Sequence, residues 1–186
     1  MDGTIIYPIA IVIILLLAVI VLYNGLVRKR NNVESAWANI DVQLKRRFDL
    51  IPNLVETVKA YAKHEKETFE MITELRTSFR NASSPKEIEK IDNQMNRAVK
   101  RLFAVAESYP ELKASQNFMM LQESLAGTEN RIAYSRNNYN HSVMSYNTAI
   151  QTIPGVWIAK PMGFKPKDFF EAEDTEVHNP VRVNLD

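Results

Sequence analysis

The residues His64-Glu65-Lys66-Glu67-Thr68 open as the helix of a zinc protease opens. That chemistry needs a second histidine four positions on, so that two imidazoles reach one metal from the same helix face, and the position is held by Thr68. His141 and His178 are the other two histidines, and the carboxylates around them do not make a persuasive ligand set for a metal. The chain has no cysteine, which excludes a thiolate nucleophile, a disulfide framework and cysteine-ligated zinc or iron–sulfur sites. No serine sits in a nucleophile elbow. With five glycines in 186 residues, no glycine-rich loop is available to cradle phosphates. No catalytic residue, metal or cofactor is assigned. Basic and acidic side chains number 23 and 22, a balance that argues against nucleic acid as a partner.

Two polar sets remain. Arg46, Arg47, Asp49 and Asn53 surround Pro52, and Glu129, Arg131, Arg136, Asn140 and Asn147 follow a later helical stretch. One reading has them paired internally, fixing the register of long helices as isolated polar seam residues do. The other places them at an interface between copies of the chain or with a partner.

The elements that position these groups begin with a run of 25 residues without charge, Gly3 to Val27, long enough to span a bilayer. It starts without a basic region and ends in Val21-Leu22-Tyr23 rather than at a small-residue cleavage site, so an uncleaved anchor is expected. Arg28, Lys29 and Arg30 follow directly, which predicts a cytoplasmic body and an outer amino terminus.

Beyond the anchor, Trp37, Leu44, Ile51, Val58, Ile72 and Phe79 recur at seven-residue steps, broken by Glu65. Val33, Ile40, Leu54, Tyr61 and Leu75 form a second seam, interrupted by Arg47 and Thr68. Pro52 predicts a kink near Ile51 rather than an end, because the periodicity resumes in register, with helical segments over about 28–50 and 52–80. Ser84-Pro85 with Glu87 spells a capping box and starts a third helix, ended by Tyr109-Pro110. A fourth helix over 115–153 carries Phe118, Leu125, Ile132, Tyr139, Tyr146 and Ile153 on one seam. Leu121, Thr128, Ser135, Ser142 and Ala149 form its second, where small residues and Gly127 permit close helix approach. Pro154, Pro161 and Pro166 exclude a further long helix, so residues 154–170 read as an irregular segment packed on the bundle or on a partner. Five acidic residues between Asp168 and Glu176 read as the start of a flexible tail.

The stretches Ala36-Trp37-Ala38-Asn39-Ile40-Asp41-Val42-Gln43-Leu44-Lys45-Arg46-Arg47, Asp49-Leu50-Ile51-Pro52-Asn53-Leu54-Val55-Glu56 and Tyr61 to Glu65 resemble the LemA proteins. So do Glu107-Ser108-Tyr109-Pro110-Glu111-Leu112-Lys113-Ala114, Glu129-Asn130-Arg131-Ile132-Ala133, and Tyr139-Asn140 with Val143, Tyr146 and Asn147. The resemblance covers Tyr23 to about Pro154, with departures at Ala60, His141 and Ile153. It implies a membrane-anchored bundle of long, bent antiparallel helices without established enzymatic activity. It also implies a loose link to membrane organisation, because LemA-like proteins occur among those that build magnetosome membranes.

The reading is an all-α chain in three parts: a transmembrane anchor over 1–27, a helical bundle over 28–153, and a proline- and aromatic-rich segment with an acidic tail over 154–186. The expected function is a non-enzymatic single-pass scaffold or adaptor of a bacterial inner membrane, whose partners are the lipid bilayer, further copies of itself and another protein. A membrane hydrolase with an unrecognised site and a transmembrane signalling adaptor are the alternatives.

Overall fold

The computed structural model describes residues 3–170, and every regular element among them is an α-helix. The elements are α1 (Gly3–Lys59), α2 (Lys66–Asn81), α3 (Pro85–Glu107), α4 (Pro110–Lys113), α5 (Gln116–Gln151) and α6 (Val156–Ala159). His178 and the acidic residues of the expected tail from Glu171 onward lie outside the described residues. The chain divides into two compact units.

The first unit comprises α1 through Arg47 and the chain from Ser124 to Phe169. Its α1 begins with the uncharged run, in which Ile11 to Leu17 are all exposed. A core helix would bury such residues, whereas a span leaves them to lipid; α1 is long and apolar enough to cross a membrane. Further along, Leu26, Val33, Ile40 and Arg47 are buried at seven-residue steps against α5. The two helices run antiparallel, as their pairings show. Lys29 Nζ donates to Ser145 Oγ at 2.6 Å, Trp37 meets Tyr139 edge-on at 5.6 Å, and Arg47 lies opposite Glu129. Trp37 is half-buried, and Ala36 fills the inner position beside it.

On α5, Leu125, Ile132, Tyr139 and Tyr146 are buried as their spacing predicts. The second seam departs from expectation. Thr128 is buried, but Ser135, Ser142 and Ala149 are only half-buried, and Val143 and Ile150, four places after the first seam, take the inner positions. A helix of about 3.6 residues per turn drifts roughly 20° per heptad, which turns the later residues inward. Nothing lies within 4 Å of a methyl group built on Gly127, so it does not permit close approach there. Ile153 is exposed because α5 ends at Gln151.

The second unit contains Phe48–Glu123 and begins with the last turns of α1. As expected, Pro52 does not end the helix, and α1 continues to Lys59, where the expected run to residue 80 is broken. Phe48, Ile51, Leu54 and Val58 are buried on one face around Pro52. Burying such side chains stabilises by about 1.5–3 kcal/mol each, which outweighs the roughly 3 kcal/mol of an interior proline. The real break is the turn over residues 60–65, where Val58 O accepts from both Tyr61 N and Ala62 N. Ala62 turns inward and Tyr61 outward, contrary to the second seam. Phe48 stacks on Phe79 at 4.0 Å.

The capping box forms: Glu87 N donates to Ser84 Oγ, and Ser84 N donates to Glu87 Oε2, each at 3.3 Å. Glu87 also accepts from Ser83 N at 3.0 Å. The connection after α3 holds the single turn α4, begun by Pro110 at a position that needs no N–H and tied down by buried Leu112.

Candidate functional site

After α5 the chain reverses and lies back along it. Gly155 is required in this reversal, because a Cβ there would stand 1.9 Å from the Ala149 carbonyl oxygen. Gly163, at φ +72°, supplies the left-handed turn that α6 needs to end, and Phe164 N then donates to Ala159 O at 3.0 Å. Residues 164–168 follow as an extended strap.

Side chains of α5 hold the strap by its main chain. Tyr146 Oη donates to Lys165 O at 3.0 Å, and Tyr139 Oη donates to Asp168 O at 3.0 Å. Between them Asn147 makes a two-point contact: its Nδ2 donates to Lys167 O at 2.8 Å and its Oδ1 accepts from Lys167 N at 2.9 Å. At the other end, Phe164 sits edge-on to Tyr23 at 5.9 Å, under the Arg30 guanidinium at 5.5 Å from its ring centre. Burial raises the Tyr139 hydroxyl pKa above its ordinary value, and the Asp168 charge adds to this. For Tyr146 burial again raises it; Arg30 lowers it in part and Glu34 raises it.

The polar residues singled out from sequence divide between the units. In the first, Arg47 is buried within the apolar stripe, its Nη2 3.9 Å from the carboxylate of exposed Glu129. Arg136 and Asn140 are half-buried, Asn147 clasps the strap, and Arg46 and Arg131 are exposed. In the second unit Asp49 and Asn53 are exposed. Sequence reasoning missed Asp92, which is completely buried. Its signal was an acid four places after Ile88 and three before Met95, on the apolar face of α3. It also missed the roles of Tyr139 and Tyr146, which looked like packing residues. Among the described residues no three potential ligands gather as a metal site. What the clasp can do is hold main chain in place, which is the chemistry of shape rather than of reaction.

The all-helical fold and the apolar, membrane-length start of α1 define an all-α, membrane-associated protein. A family model described as the LemA family matches residues 36–185, and the chain belongs to that family. Protein LemA of Metamycoplasma hominis is 27% identical, over 88% of this chain and 73% of its own length. Magnetosome protein MamQ of Magnetospirillum gryphiswaldense is 26% identical, over 85% of this chain and 69% of its own. Magnetosome protein MamQ 1 of Paramagnetospirillum magneticum is 27% identical with the same coverage. None of these names describes a catalysed reaction.

Proposed function

We propose that the chain is a non-enzymatic, single-pass scaffold or adaptor of the inner membrane that presents its helical body to the cytoplasm, assembles with copies of itself, and helps to organise the membrane. The observation that carries this reading is the continuity of α1, which passes from the uncharged run into the body with no break. A body joined to its span by unbroken helix has its direction set by the membrane, as a scaffold needs. The basic residues Arg28, Lys29 and Arg30 at the exit favour the cytoplasmic side. A shared anchor confines all copies to one plane and raises their effective concentration. Exposed Tyr134 and Met144 on α5 offer apolar contacts for such assembly. The naming of relatives as magnetosome proteins supports a part in membrane organisation.

The test is a reporter active only in the cytoplasm, fused after Asp186, together with crosslinking in intact cells and mass spectrometry of the products. An active reporter and crosslinks between copies are expected. An inactive reporter would overturn the orientation, and crosslinks only within single chains would overturn the assembly.

A further inference from the structure

Three pairings fix how α5 lies against α1: Arg47 with Glu129, Trp37 with Tyr139 and Lys29 with Ser145. Each step forward on α1 matches about one step back on α5, which brings Gln151 level with about Asn24. The reversal over 152–163 therefore stands at the end of the uncharged run, and the Phe164–Tyr23 contact fixes it there. Within the reversal, α6 turns Ile158 and Ala159 inward, where they are buried. The reversal leaves Ile153, Trp157 and Met162 exposed at 70%, 68% and 58%. Lys160 and Lys165, beside them, are exposed as well.

Apolar and basic groups so combined, at the level where a span leaves the bilayer, match the headgroup region of an anionic leaflet. Tryptophan favours that depth, and lysine lays its stem along apolar surface while its ammonium reaches phosphate. We infer that the reversal is a second membrane contact: Trp157, Ile153 and Met162 enter the headgroup and upper acyl region of an anionic bilayer while Lys160 and Lys165 meet its phosphates. This rests on the reading of the amino-terminal run as a span. It gives the clasp a purpose, because the strap that α5 holds is the segment that returns from the lipid.

Full-length protein in phosphatidylglycerol-containing vesicles tests the inference, with bromine on the upper acyl carbons as the quencher. Trp37 and Trp157 are the only tryptophans, so Trp157→Phe, at an exposed position, isolates the signal of interest. Wild-type emission from Trp157 should fall about twofold, with no comparable loss in Trp157→Phe. Val19→Trp in the Trp157→Phe background reports the span separately. Quenching there without quenching at Trp157 would overturn the inference and leave the span standing; quenching at neither would overturn both. A Trp157 emission that is blue-shifted yet unquenched by bromine would mean that a protein surface covers it, and would also overturn the inference. Lys160→Glu with Lys165→Glu should reduce the quenching in anionic vesicles to the level seen in zwitterionic ones. An unchanged signal would overturn the assignment to anionic lipid.

Discussion

The Asn147 side chain pairs with the main chain of Lys167 at both its donor and its acceptor, at 2.8 and 2.9 Å. One carboxamide thus satisfies both backbone groups of a residue that belongs to no helix or strand. Asn147→Ala removes both bonds, each worth about 0.5–1.5 kcal/mol. The expected outcome is a helical protein in which the Lys167 amide loses its protection from hydrogen exchange. Asn147→Asp, which keeps an acceptor for Lys167 N, should retain part of that protection.

The strap should also loosen in alkali. Tyr139 and Tyr146 donate to strap carbonyls, and a phenolate cannot donate. Burial raises both hydroxyls above their ordinary value of 10.0, so the folded state favours the neutral form. The stability they contribute is fully present below 10.0 and declines as pH rises through their folded values. Exchange at residues 164–168 should rise in that range and do so less in Tyr139→Phe with Tyr146→Phe, which has no proton to lose.

Two glycines should respond oppositely to alanine. Gly127 sits exposed within α5 with open space around it, so Gly127→Ala should stabilise by about 0.5–1 kcal/mol. Gly155→Ala drives a methyl into the Ala149 carbonyl and should destabilise by about 1–3 kcal/mol. Thermal unfolding of the two variants in one detergent checks the signs directly.

The start of α3 should weaken in acid. The Ser83 and Ser84 backbone N–H groups, in that order, hold the Glu87 carboxyl below its ordinary value of 4.5. Its contribution is present above 4.5 and lost as pH falls through the folded value. Exchange at the first turn of α3 should show this step in the wild type and lack it in Glu87→Gln.

The parts of the fold that were legible in the sequence are those with local or periodic causes. The stripe of Val33, Ile40 and Leu54 states its own spacing, and Ser84-Pro85 with Glu87 spells out its cap. The turn over residues 60–65 was not legible, because Tyr61-Ala62-Lys63-His64-Glu65 holds no proline or glycine, Tyr61 keeps the second seam, and Glu65 reads as one polar interruption of the first. Pro52 was legible as a residue that the helix tolerates, because the apolar positions on either side of it, Ile51 and Leu54, stay in register and are buried. Asn147 stood out as one of a polar set along the fourth helix, but its partner could not be read. The clasp acts on main-chain atoms of Lys165, Lys167 and Asp168, and those atoms leave no mark on residue type.

The central claim, a membrane-held scaffold that assembles with itself, is tested most directly by native mass spectrometry of the full-length protein released from lipid nanodiscs across a wide range of protein concentration. The account predicts a defined oligomer with bound lipid that persists on dilution. A monomer at every concentration would contradict it.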